Sequence, residues 1–273
     1  MRYIAIGNEI RGSLEMTDTS GTQRPLAGRF AVVTGASKGI GYGITSAFVD
    51  AGASVLMVAR GERDLQAAAE ELGRRALPDQ RVMTAQADTS DSDSIDELFA
   101  TIDRDLPQLD VFVANTGSGQ VTPFLEVTRE QWDATIGLNL TGTFLCCQRA
   151  ARRMAKRDGD RSILVISSIR GLGARPGVLP YAVTKSGLNQ LVRVAAYELA
   201  AEGVRVNALS PGITVTPLSD ANPDVRERMA ATVPLGRAGL PTDMGAAAVY
   251  LSSPGASFVT GINLVVDGGE SLW

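Results

Sequence analysis

The sequence predicts a single α/β domain: one parallel sheet of about seven strands with helices on both faces. Three observations predict it. From about residue 28 onward, short apolar runs alternate with helical stretches of ten residues or more, the signature of βαβ units. Those apolar runs are rich in Val, Ile and Leu without polar alternation, as expected of strands covered on both sides. No linker, internal repeat or low-complexity block divides the chain.

The elements follow in order. A β-rich run at 29–34 leads through a cluster of glycines into a helix reaching about residue 51. A second strand at 53–59 precedes a charged helix at 62–74. A third strand at 81–87 precedes a helix at 91–103 whose start is rich in Asp and Ser. The fourth strand is 110–114, followed by a long helix over 129–157. The fifth is 162–167, followed by a long helix over 181–202. A sixth strand at 204–209, a helix at 242–252 and a last strand at 262–266 complete the pattern. Crossovers between such strands are right-handed. The least regular stretch, 212–237, holds Pro217, Pro223 and Pro234 and one short charged helix candidate at 224–231. An irregular segment of that length inside a compact domain reads as a functional lid, set at about 213–237. Residues 1–25 read as a polar tail outside the domain, 26–273 as the domain itself. Met16 is a second candidate start, which would make residues 1–15 an upstream addition.

Composition narrows the function. The chain has 273 residues, enough for a sizeable core. A net charge of −4 argues against a nucleic-acid partner, which favours a basic face. No apolar run reaches the length of a membrane span, and no signal-peptide core is visible near the start. The only cysteines, Cys146 and Cys147, are adjacent. They read as small apolar filler on a helix in a reduced, cytoplasmic setting. With no histidine in the chain, no metal site is expected.

The absence of histidine also removes the usual general base. Two motifs supply an alternative. The first is the strand exit Thr34-Gly35-Ala36-Ser37-Lys38-Gly39-Ile40-Gly41. Glycines after a first strand let the backbone approach a pyrophosphate, and the next helix offers it N–H groups and a positive dipole end. The second is Tyr181-x-x-x-Lys185, with Ser168 thirteen residues upstream of the tyrosine. Residues i and i+4 share one helix face, so the phenol and the ammonium can enter one cavity. A free phenol, with a pKa about 10, is a poor proton donor-acceptor near neutrality, and a nearby cation lowers it. Hydride transfer to a carbonyl generates an alkoxide that needs a proton. Tyr181 would supply it, and the Ser168 hydroxyl would hold the oxygen. In this order the motifs describe a nicotinamide-dependent carbonyl/alcohol oxidoreductase.

Thr34-Gly35-x-x-x-Gly39-x-Gly41, Ala114-Asn115-Thr116-Gly117, Asn139, Ser168, Tyr181-x-x-x-Lys185 and Pro211-Gly212 together resemble the short-chain dehydrogenase/reductase family, over about residues 25–270. Within it the chain looks most like the compact reductases typified by 3-oxoacyl-[acyl-carrier-protein] reductase. The resemblance implies a Rossmann-type doubly wound fold. It implies catalytic roles for Asn139, Ser168, Tyr181 and Lys185, with Asn139 at a helical irregularity that links the lysine to water. It implies cofactor contacts from Gly35, Ser37, Lys38, Gly39, Ile40 and Gly41, and from Asp88, Thr89, Asn115, Gly117, Tyr181 and Lys185. It implies further contacts from the turn holding Pro211, Gly212, Thr214 and Thr216. Two departures stand out: Ala114 where the family commonly has Asn, and Thr214 where it commonly has an aliphatic residue.

At the end of the second strand, a carboxylate would bind an adenosine ribose and repel a 2′-phosphate. Ala59 and then Arg60 stand there, with Lys38 in the glycine loop. Arginine suits a phosphate dianion, so NADP(H) is favoured over NAD(H). The alternatives are an NAD-dependent alcohol or sugar dehydrogenase and a non-catalytic nucleotide-binding relative. The expected partners are a small carbonyl or alcohol substrate and further copies of the chain, in a homotetramer or homodimer. Arg170 and Arg175 read as surface or subunit-contact residues.

Overall fold

The computed structural model describes residues 24–155, 157–215 and 230–272. Seven strands form one parallel sheet: β1 (Phe30–Thr34), β2 (Ser54–Ala59), β3 (Val82–Gln86), β4 (Val111–Ala114), β5 (Arg161–Ile166), β6 (Val204–Pro211) and β7 (Asn263–Val266). Their spatial order is β3-β2-β1-β4-β5-β6-β7. The order reverses between β1 and β4, where the strand ends part and leave a crevice.

The helices are α1 (Gly39–Asp50), α2 (Glu62–Gly73), α3 (Ser92–Asp105), α4 (Arg129–Ile136), α5 (Thr143–Met154), α6 (Leu179–Leu199) and α7 (Pro241–Ser252). They divide between the two faces, and the central strands feed both. Val32, Leu56, Phe112 and Val165 pack toward α3, α5 and α6, whereas Ala31, Val33, Val55 and Leu164 pack toward α1, α2 and α7. Neighbouring positions on a strand point to opposite faces, so two buried faces favour apolar residues at consecutive positions, as in Phe30–Thr34 and Val111–Ala114.

Three expectations change. The long helix over 129–157 is interrupted by a π-helical stretch, Gly137–Gly142, between α4 and α5. The helix expected from residue 181 begins two residues earlier, with Pro180 in its first turn, where a missing N–H costs nothing. The sixth strand extends to Pro211, which brings the following turn closer to the crevice. At the N-terminal boundary Leu26 is fully buried and its N–H bonds the Ala51 carbonyl at 2.9 Å. The helix candidate at 224–231 lies almost wholly outside the described residues, as do most of the expected lid and tail.

Candidate active site

The C-terminal ends of β1, β2, β4, β5 and β6 open onto one cleft of about 530 Å³. Its nucleotide-side wall is largely backbone. Gly35 leaves β1 with φ +63°, a left-handed conformation that only glycine adopts cheaply. A Cβ on Gly41 would lie 2.5 Å from the Asn115 amide nitrogen and would overlap the Gly35 carbonyl. Asn115 braces this turn by donating to the carbonyls of Thr34 at 2.9 Å and Gly35 at 3.2 Å. The first turn of α1 contains no acidic residue, and its N-cap Lys38 makes no side-chain cap. Those N–H groups are therefore open to an anion. The Thr89 hydroxyl is buried at the same cleft without a partner among the described residues. Bare glycine backbone, an uncapped helix start and an unpaired hydroxyl fit a dinucleotide.

Most expected contact residues line this cleft: Gly35, Ser37, Lys38, Ile40, Gly41, Arg60, Thr89, Asn115, Gly117, Pro211, Gly212 and Thr214. Gly39 shapes the turn from behind, with φ +59°. Thr216 lies outside the described residues. Asp88 does not face the cleft as a free carboxylate. It accepts from the Ser90 N–H at 2.9 Å and hydroxyl at 2.7 Å, and it pairs with Arg60 at 3.6 Å. The Ser90 hydroxyl holds its carboxyl below the usual range, and the Arg60 charge adds to this. Arg60 itself is exposed. Asp64, in the first turn of α2, also lines this end of the cleft, although no motif singles it out.

Ser168, Tyr181 and Lys185 converge on the opposite wall. The Lys185 ammonium is buried, donates to the Ile166 carbonyl at 2.8 Å and lies 5.4 Å from the centre of the Tyr181 ring. Burial pushes its pKa down to about 8. The Tyr181 pKa is raised: burial outweighs a hydrogen bond from Ser168 and the charge of Arg170, both of which lower it. At neutral pH the phenol carries its proton.

Ser167, one residue before Ser168, turns the other way, toward Asn189 Oδ1 at 2.7 Å and the Lys185 carbonyl at 3.1 Å. It thereby fixes the middle of α6 against the end of β5. Asn139 sits fully buried in the π-helical stretch. Its side-chain oxygen accepts from the Ser118 N–H at 2.9 Å and its amide donates to the Ser118 carbonyl at 2.7 Å. It therefore stands behind the cleft and holds the 117–118 backbone. A Cβ on Gly117 would lie 3.4 Å from both Asn139 Oδ1 and Lys185 Nζ, so all three meet at one point.

Beyond Tyr181 a second cleft of about 310 Å³ is lined by the 117–121 loop, Arg170, Val178 and the phenol. Arg170, expected at the surface or at a subunit contact, is not a free surface residue in this chain. It is largely buried and bridges to Glu270, which is itself buried. Among the described residues no cluster of His, Cys, Asp and Glu suits a metal ion, and no helix is long and apolar enough to cross a membrane. Cys146 and Cys147 are free thiols buried on α5.

Comparison with known proteins agrees with this geometry. The family model described as enoyl-(acyl carrier protein) reductase matches residues 35–271. The chain is 39% identical to cis-4-hydroxycyclohexanecarboxylate dehydrogenase of Sinomonas cyclohexanicum, over 89% of this chain and 97% of that one. It is 33% identical to 3-oxoacyl-[acyl-carrier-protein] reductase of Staphylococcus aureus, over 88% of this chain and 96% of that one. A solved short-chain type dehydrogenase/reductase from Mycobacterium marinum superposes with a TM-score of 0.84 at 31% identity, covering 90% of this chain and 96% of that one. The chain belongs to the short-chain dehydrogenase/reductase family, oxidoreductases that act on CH–OH groups with a nicotinamide dinucleotide.

Proposed function

We propose that the protein interconverts a secondary alcohol and a ketone with NADP(H), and that it works chiefly as a reductase. The observation that carries this reading is the convergence of Ser168, Tyr181 and Lys185 on one wall of the glycine-built cleft, with Asn139 directly behind. The dinucleotide, when bound, exchanges a hydride with the substrate carbon. Everything else falls to the chain. Ser168 holds the substrate oxygen. Tyr181, protonated at neutral pH, donates its proton to that oxygen as negative charge develops on it. Lys185, fixed by the Ile166 carbonyl, holds a positive charge beside the ring and replenishes the proton. Asn139 holds the Ser118 peptide, and its place in the π-helical stretch gives the lysine a route to water. A phenol that keeps its proton is prepared for reduction. Alcohol oxidation would need further positive charge near it.

Exposed Arg60 and Lys38 support NADP(H) by presenting two cations where a 2′-phosphate would lie. The pairing of Arg60 with Asp88, and the carboxylate of Asp64 beside it, favour NAD(H) as the second reading. Two relatives act on a ring-borne hydroxyl and on a 3-oxoacyl group, so the proposed substrate class is a carbonyl flanked by carbon on both sides. Apolar side chains left exposed on α5 and α6, among them Phe144, Val194 and Tyr197, support assembly into a homodimer or homotetramer. The two free thiols support a reduced, cytoplasmic setting.

One panel tests the reading. Ketones and 3-oxoacyl thioesters are offered with NADPH and, separately, NADH, and absorbance of the reduced cofactor is followed. Turnover that is faster with NADPH and lost in Tyr181→Phe is expected. A strong NADH preference overturns the cofactor assignment. No turnover above that of Tyr181→Phe supports the non-catalytic relative.

A further inference from the structure

The Arg170–Glu270 pair joins residues one hundred positions apart. Arg170 follows Ser168 by two residues, on a single 3-10 turn at the end of β5. Its backbone N–H donates to the Ser168 hydroxyl at 3.1 Å. Arg170 lines the cleft beyond Tyr181, and its guanidinium reaches Glu270, near the C-terminus. One carboxylate oxygen of Glu270 takes the guanidinium, while the other accepts from the Ile213 N–H at 2.7 Å. Ile213 belongs to the turn after β6 that begins at Pro211. A single buried carboxylate thus ties three segments to one point: the serine turn, the turn after β6 and the C-terminal segment. A buried ion pair is a costly way to hold a fold, since matched apolar residues often serve as well or better. Its position at the site gives it another use.

We propose that Arg170, anchored by Glu270, is a positioning residue for the acid/base step: it holds a fixed positive charge on the substrate side of the Tyr181 phenol. The inference rests on the reading of Tyr181 as the proton donor. The groups facing that phenol are Ser168 and Arg170 from the turn after β5 and Lys185 from its own helix, with Glu270 behind Arg170. Asn139 lies one layer back, at Gly117. Of the two cations, Lys185 approaches the ring from its own helix, whereas Arg170 shares the lining of the second cleft with Tyr181. The charge of Arg170 opposes the effect of burial.

The test is a pH titration of tyrosinate ultraviolet absorbance on the full chain, with and without NADP+. The chain has five tyrosines, so each variant is read against its own Tyr181→Phe counterpart. Arg170→Met is expected to move the Tyr181 midpoint up by about one pH unit. Arg170→Lys, which keeps a charge, is expected to stay close to the wild-type value. Should Arg170→Met unfold the protein by stranding Glu270, the double variant Arg170→Met with Glu270→Met leaves no unpaired buried charge and is expected to shift the midpoint upward as well. An unchanged midpoint in a folded Arg170→Met or double variant overturns the proposal. So does an Arg170→Lys value that matches Arg170→Met. The titration needs no substrate, so its failure is distinct from failure of the turnover panel.

Discussion

The two walls of the cleft are built by opposite means. The nucleotide wall is backbone: Gly35 and Gly41 clear space, and the first turn of α1 presents bare N–H groups. Its charged side chains, Lys38, Arg60 and Asp64, are exposed. The phenol wall is side chain: Ser168 and Lys185 are buried, and Arg170 is largely so. The first wall is a shape that costs little to maintain, and it holds any ligand with the right outline. The second wall stores charge out of water, which costs stability and shifts proton affinities. The difference teaches that binding and chemistry here fail separately, under different substitutions.

The largest expected effect falls on the phenol wall. Tyr181→Phe should lower kcat by about 10³-fold while leaving the cofactor dissociation constant nearly unchanged. Steady-state rates and a fluorescence titration with NADPH check the two halves. A parallel loss of binding would erase the distinction between the walls. Next comes the nucleotide wall. Gly41→Val should weaken NADPH binding by about a hundredfold, because its branched side chain would press on Asn115 and the Gly35 carbonyl. The same titration measures it, and unchanged affinity would mean that the cradle gives way.

A smaller effect tests the edge of that wall. Arg60→Ala should lower the ratio of kcat/KM for NADPH over NADH by about tenfold, without changing the rate at saturating cofactor. A rising ratio would show Arg60 committed to Asp88. The smallest effect tests the cost of buried charge. Lys185→Met should raise Tm by a few degrees at pH 7 while turnover is lost. The sign follows from the lowered pKa. Folding disfavours the ammonium, so wild-type stability gains as pH rises from about 8 through the unfolded value near 10.5. The stabilisation of the variant should therefore shrink toward pH 10. At pH 7 it amounts to no more than about 3 kcal/mol, less about 1 kcal/mol for the lost bond to Ile166. Calorimetry across pH reads it, and a destabilised variant at pH 7 would show that the hydrogen bond outweighs the buried charge.

The seven strands were legible because most are Val-, Ile- or Leu-rich runs bounded by turns. The glycine loop and the Tyr181-Lys185 pair were legible because their geometry is local. Non-local geometry was not. The irregularity at Asn139 was expected from the family resemblance alone, since no local propensity in Gly137-Leu-Asn139-Leu-Thr-Gly142 marks the π-helical turn. Arg170 read as a surface residue because its partner lies one hundred residues away. Arg29 and Arg205 likewise pair over long sequence distances, both with Asp160. Asp88 was visible as a carboxylate at the right strand end, yet Ser90 two residues on reorients it.

Burial of the cysteine pair has a practical consequence. Cys146 is pushed up to about 12 by burial, and burial raises Cys147 as well. Neither forms an appreciable thiolate in ordinary buffers, so alkylating probes and mild peroxide should pass both by. A reporter thiol engineered onto the surface can then be tagged with a fluorophore while both native cysteines stay in place.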